Sequence, residues 1–238
     1  CFNGSSWALL KAGSSTILKD TDGNTKVEVE KNPNEDIIRF SLGGTEKMTL
    51  KSNRLELTNP NFNLFLGSFC GAANTSGTEN TGIGYLSLYF NQTGQDNTCL
   101  GYNTLLSNIS GSNNVSVGNS VMYSTTGSSN VGIGSFSLYS NSTGYSNTAL
   151  GTRSLYSNTT RNNLVAIGDS ALYNNGTGAS SGVHATANTA IGSKSLYNNN
   201  TGYYNTANGY RSLYSNTTGS SNTANGMQAL YFNTTGNN

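Results

Sequence analysis

The sequence predicts an all-β protein, a parallel β-roll or β-solenoid of about ten 17-residue coils preceded by a small N-terminal β module. Glycine recurs at Gly67, Gly84, Gly101, Gly118, Gly134, Gly151, Gly168, Gly192, Gly209 and Gly226, a spacing of 17 residues with one coil of 16 and one of 24. A fixed period of this length marks a repeat architecture, and seventeen residues are too few for a helix pair. The residues around each glycine hold register: Asn stands four positions before it in nine of ten coils, and Leu or Met four positions after it from Leu88 to Leu230. Charge is partitioned as well. Residues 1–58 hold 8 of the 12 Lys and Arg and 8 of the 11 Asp and Glu, so the chain divides into a charged module (1–58) and a nearly uncharged repeat domain (59–238).

In the first module, Lys26-Val27-Glu28-Val29-Glu30 alternates with period two. Parts of Ile38 to Leu42 and Arg54 to Leu57 do the same, which predicts short half-buried strands. Asp22-Gly23-Asn24, Asn32-Pro33-Asn34 and Gly43-Gly44 are turn signals. The module is expected to cap the first rung of the repeat, since an open sheet edge is an aggregation hazard.

In the repeat domain each coil reads close to Asn-Thr-Ala-Ile-Gly-x-x-Ser-Leu-Tyr-Ser-Asn-Thr-Thr-Gly. Two strands per coil are expected, at Thr-Ala-Ile and Ser-Leu-Tyr, joined by turns in which Gly and Asn supply positive φ. Each coil then adds one rung about 4.8 Å above the last. About two large aliphatic side chains and one Tyr per coil make a thin private core against an ordering cost of about 1–2 kcal/mol per residue, which points to self-association. In successive coils Asn208 and Asn225 replace the aliphatic residue before the glycine, and as buried amides they are expected to form hydrogen-bonded ladders.

Asn147-Thr148-Ala149-Leu150-Gly151 and Val165-Ala166-Ile167-Gly168-Asp169-Ser170-Ala171 resemble the Ala-Ile-Gly head repeats of trimeric autotransporter adhesins, whose unit is shorter. That resemblance implies a left-handed parallel β-roll and a parallel homotrimer. The longer unit, with Ser-Leu-Tyr-Ser-Asn-Thr-Thr-Gly between the glycines, is similar to repeats in bacteriophage fibre proteins and Bacteroidetes surface proteins, and the run Ile38 to Leu50 is similar to the β segments that precede repeats in phage fibres. Cys1 and Asn238 are read as cuts in something longer.

Few residues suit chemistry, and neither an enzyme nor a cofactor is expected. Glu79, Asp96 and Asp169 read as isolated carboxylates in different coils, which leaves a glycan depolymerase without its pair. His184 is the one histidine, so no His-paired nucleophile or multi-His metal site is available. Asp20-x-Asp22-Gly23-Asn24 has the start of a calcium loop, but its glycine is misplaced and Lys31 stands at the twelfth position, so it reads as a surface turn. Cys70 and Cys99 read as buried small hydrophobes rather than a disulfide, and Cys1 offers a lipidated N-terminus on the strength of one residue. Near-zero net charge without a basic patch argues against nucleic acid. No stretch approaches the ~20 apolar residues of a bilayer span.

Three surfaces remain as binding candidates. The Tyr column (Tyr89, Tyr123, Tyr139, Tyr156, Tyr173, Tyr197, Tyr214, Tyr231) is either a stacked structural seam or a platform for sugar rings. The seven extra residues between Gly168 and Gly192, with Ser180, Ser181, Val183, His184 and Thr186, suit an outward receptor-binding loop. Sequons such as Asn91-Gln92-Thr93, Asn158-Thr159-Thr160 and Asn216-Thr217-Thr218 offer glycosylation. The functional expectation is a trimeric attachment fibre on a virion, binding a host-surface glycan or protein, with an extracellular bacterial adhesin head as the alternative. A third class is an ice-binding solenoid, for which Thr81, Thr98, Thr148, Thr189, Thr206 and Thr223 supply a Thr column that Val115, Val131 and Val165 interrupt.

Overall fold

The computed structural model describes residues 16–19, 21–29, 37–51, 54–57 and 60–237. They fall into two units, Cys1–Phe62 and Asn63–Asn238. Cys1, Asp20, Glu30, Lys31 and the turn Asn32-Pro33-Asn34 lie outside the described residues.

The first unit is a five-stranded antiparallel meander, β1 (Thr16–Lys19), β2 (Lys26–Val29), β3 (Ile38–Leu42), β4 (Thr45–Lys51) and β5 (Arg54–Leu57), in that order. Gly43 and Gly44, at φ 57° and 75°, make the tight turn from β3 to β4 that only glycine adopts freely. Period-two alternation across this register separates the residue types. One face carries the rows Leu18, Val27, Phe40, Met48, Leu57 and Val29, Ile38, Leu50, Leu55. The other carries Glu28, Arg39, Thr49 and Glu56 in one row. Lys26 pairs with Glu28 at 2.8 Å and Arg39 with Glu46 at 3.2 Å. Hydrogen bonds from Lys51 and Arg54 hold the Glu56 carboxyl down to about 2.

The second unit is a parallel β-solenoid of ten coils whose strands, from Leu64–Leu66 to Thr223–Asn225, form one ten-stranded sheet in chain order. Register follows the repeat: Thr148 faces Val165, Ala149 faces Ala166 and Leu150 faces Ile167. Each coil contributes one strand, not the two expected. The Ser-Leu-Tyr segment is a turn in which the second and fourth residues after the glycine take left-handed backbone, as at Leu86 (φ 55°) and Leu88 (φ 54°). Its amides still bond from coil to coil, Leu88 N–H to Thr104 O at 3.0 Å and Phe90 N–H to Leu106 O at 3.1 Å. Alternating left-handed residues therefore bend the chain around the core while keeping the period of two that suggests a strand.

The core is narrow and closed within one chain. Leu88, Leu105, Met122, Leu138, Leu155, Leu172, Leu196 and Leu213 are fully buried on one side. From the strand side they meet the small middle residues, among them Cys99, Ala149, Ala166, Ala190 and Ala207, also fully buried. The aliphatic residue before each glycine therefore points outward: Leu100 is 48% exposed and Ile133 41%. Asn208 and Asn225 share that outward position and are exposed, so the buried reading of these two does not hold. They bond to one another in the open, Asn208 Nδ2 donating to Asn225 Oδ1 at 3.1 Å.

The repeating glycine answers two constraints. At Gly84 φ is +128°, and a Cβ would lie 2.2 Å from the carbonyl oxygen of Gly101 one coil on. The coils approach there more closely than any side chain permits.

Two columns of buried asparagine staple the coils together. In the first, Asn80 donates from both its backbone N–H (2.9 Å) and Nδ2 (3.1 Å) to Asn63 Oδ1, and from Nδ2 to Gly94 O at 2.8 Å. The pattern repeats at Asn97, Asn114 and Asn130, and again at Asn205 and Asn222. The second column, seven residues after the glycine, links Asn108 to Asn91 at 2.7 Å, Asn158 to Asn141 at 3.0 Å and Asn216 to Asn199 at 3.1 Å. Each satisfied bond contributes about 1 kcal/mol net, and a buried amide left alone costs more than that, so register is enforced at every rung.

Candidate functional site

Among the described residues there is no group of three His, Cys, Asp or Glu placed to hold a metal ion. Glu79 and Asp96 occupy equivalent positions. Both stand five residues before a repeat glycine, in successive coils, with left-handed backbone at φ 59° and 54°. Cys70 and Cys99 are free and buried, and burial pushes both thiols up. A protonated, enclosed thiol is a packing group rather than a nucleophile. Asp22 accepts from the backbone N–H of Asn24 at 3.2 Å and from its Nδ2 at 2.5 Å, a local turn contact of the kind an Asp-Gly-Asn sequence makes.

The sequons are the second asparagine ladder. Asn91, Asn158 and Asn216 are fully buried, with their Nδ2 groups donated to neighbouring Asn Oδ1 atoms and to carbonyls such as Gly94 O and Gly219 O. The atom that would carry a glycan is enclosed in the folded solenoid. The sequence disguises this column because Asn-x-Thr is also the turn sequence of the repeat.

The tyrosines form a continuous pile from Tyr123 through Tyr139, Tyr156, Tyr173, Tyr197 and Tyr214 to Tyr231. Successive ring centroids are 5.1–5.3 Å apart and interplanar angles run from 4° to 19°. Leu106 interrupts the column between Tyr89 and Tyr123; Tyr89 instead meets Phe69 and Phe90 edge to face. Each inner ring is covered on both faces by its neighbours, so ring edges and hydroxyls are what the column offers to solvent. Flat stacking against a sugar ring needs a free face. Burial between neighbours pushes the Tyr197 phenol up. Arg211 lies over Tyr214, its guanidinium carbon 5.7 Å from the ring centroid, and over Tyr210 at 5.0 Å.

The extra residues between Gly168 and Gly192 leave the rod as a loop anchored from the coil before. Arg161 takes the place of the glycine that other coils carry in this turn. Its guanidinium donates to Ser181 O at 2.7 Å and to Ala179 O at 2.8 Å. The loop is anchored at its base too, Asn175 Nδ2 bonding to Ala185 O at 2.8 Å. Ser180 and Val183 are exposed, whereas Ser181, His184 and Thr186 are half-buried, and Thr186 Oγ1 donates to Val183 O at 2.7 Å. The Arg161 clamp was not legible in the sequence, since no local pattern ties residue 161 to residue 181.

The outer face of the ten-stranded sheet is a further surface. Its two outward columns are the first residue of each strand, Thr or Val after Leu64, and the third, aliphatic as far as Ile191 and then Asn208 and Asn225, as in Thr81/Ile83, Val131/Ile133 and Thr189/Ile191. Neither column carries a charged residue from the Leu64–Leu66 strand to the Thr223–Asn225 strand.

Compared with protein-family models, curated proteins and solved structures, the chain matches none. Among the described residues no helix is long and apolar enough to cross a membrane.

Proposed function

We propose that this chain is an attachment fibre segment, a virion tail or head fibre, that assembles as a parallel homotrimer and binds a host-surface glycan or protein. The alternative within the same class is the head of a bacterial surface adhesin, equally an extracellular position. The observation that carries the reading is the Arg161 clamp: a regular rod with a self-contained core holds one irregular loop at a fixed height. Loops on a rigid scaffold are where recognition concentrates, and three copies would gain avidity from weak contacts. The test uses fluorescently labelled chain on a glycan array and on a panel of bacterial cells. Binding is expected, and deleting the seven residues Ala179 to Ala185, which restores the 17-residue coil, should reduce it at least tenfold while the solenoid stays folded. Equal binding by the trimmed chain removes the loop from the reading, and absence of binding to every surface removes the attachment function.

A second reading has its own observation. The Thr column, with isosteric Val at three rungs, lies outward on an in-register parallel sheet beside a largely aliphatic column. That is the surface an ice-binding solenoid requires. Thermal hysteresis of the purified chain, lost on Thr148→Lys, is the expected result under this reading. Its absence at millimolar protein excludes it.

A further inference from the structure

The thin core of a single coil suggests that the solenoid needs its neighbours, yet the structure places the unmet need elsewhere. Inside the solenoid the large inward side chains from Leu88 to Leu213 are fully buried by one chain alone. In the N-terminal sheet the reverse holds. Leu18, Val29, Leu50, Leu55 and Leu57 are 38–56% exposed on one face, and the ion pairs are gathered on the other.

We infer that the apolar face of β1–β5 is the self-association surface of this protein, covered by the same face of other copies. This rests on the assembly part of the proposal above and gives it a location. A single-layer sheet with one apolar face requires a second layer to be stable. That cover must be present whenever the chain folds, and another copy of the chain is the one partner always synthesised with it. The face is also suited to meeting itself, because it bears no charge that would oppose its own image. With five strands about 4.8 Å apart, paired over four to five residues at about 3.3 Å each, the footprint is roughly 24 Å by 15 Å. Three copies facing a common axis enclose a footprint of about 1,000 Å², the size at which a specific interface becomes stable.

The experiment compares three full-length proteins by sedimentation velocity, with near-ultraviolet circular dichroism of the Tyr pile reporting whether the solenoid is folded. Leu50→Lys/Leu55→Lys places two like charges at directly paired positions of the face. Leu100→Lys/Ile133→Lys makes the equivalent change on the outer face of the solenoid sheet. The wild type is expected to be an oligomer, the first variant a monomer with an unchanged Tyr signal, and the second variant an oligomer. A wild-type oligomer that persists in Leu50→Lys/Leu55→Lys overturns the inference and leaves the fibre assembly standing. Dissociation by the solenoid variant alone moves the seam to that face and overturns it as well. A folded wild-type monomer refutes both the inference and the trimer.

Discussion

Replacing Gly151 by alanine tests why the solenoid is built on a glycine every coil. The residue has φ +134°, and a Cβ there would lie 2.6 Å from both the carbonyl carbon and the carbonyl oxygen of Gly168 in the next coil. The backbone conformation alone costs an L side chain about 1–3 kcal/mol. The close contact is with backbone, so the coils must separate, and the nearest bonds that stretch are Gly168 N–H to Leu150 O at 2.7 Å and Ser170 N–H to Thr152 O at 2.9 Å. Weakening two bonds worth about 1 kcal/mol each brings the expected loss to roughly 3–5 kcal/mol. With a urea slope of about 2–3 kcal/mol/M, the unfolding midpoint followed by far-ultraviolet circular dichroism should fall by about 1–2.5 M. Gly182→Ala is the matched control: it stands in the inserted loop without positive φ, and a Cβ there would meet nothing within 4 Å. Its midpoint should match the wild type. A Gly151→Ala midpoint equal to that of Gly182→Ala would show that coil spacing does not depend on the glycine, and the account of the repeat would fail.

Thr125 occupies the ladder position between Asn108 and Asn141 in the 16-residue coil, and its buried Oγ1 has no hydrogen-bond partner. Thr125→Asn should therefore stabilise the chain by about 1 kcal/mol, read as a higher urea midpoint; a lower midpoint would mean the shortened turn cannot seat the amide. Expressed through a eukaryotic secretory pathway, the folded, protease-resistant fraction should carry no glycan at Asn91, Asn158 or Asn216. Peptide mapping that finds occupied sites in that fraction contradicts the buried ladder. Because burial raises the Tyr197 phenol, the fold favours the protonated ring. Its stabilisation is complete below the ordinary Tyr value of about 10 and is lost as pH rises through the higher folded value. A spectrophotometric titration of wild type minus Tyr197→Phe should show that ring ionising later than free tyrosine, and a normal or earlier transition would refute the enclosed pile.

The period, the parallel architecture and the Leu column were legible because repetition reveals a solenoid whatever its details. Which strand residue points inward was not. In Thr148-Ala149-Leu150 hydrophobicity nominates the leucine, but the buried residue is Ala149, in the same core as Leu155, and a slip of one residue exchanges the faces of a strand. The Asn158 ladder was hidden for a related reason. Asparagine followed by threonine is ordinary turn chemistry, and only the stacking of coils turns that column inward. In the N-terminal unit, β2, β3 and β5 follow from alternation and β4 falls largely in the run Ile38 to Leu50 that resembles β segments of phage fibres, while β1 was missed.

The asparagine columns give the rod a direction that its outline does not reveal. Wherever a column link is made, the later coil donates from Nδ2 and the earlier coil accepts at Oδ1, as Asn97 does to Asn80 and Asn158 to Asn141. All of these side-chain dipoles therefore point the same way along the axis and reinforce one another, as aligned peptide dipoles do in a helix. A coil can be added beyond the last rung only by presenting donors, and before the first only by presenting acceptors. Duplicating a whole coil satisfies both conditions, whereas docking like ends leaves donor facing donor at the first coil and acceptor facing acceptor at the last. Growth by internal duplication, head to tail and in one sense only, is thus built into the hydrogen bonds of the interior.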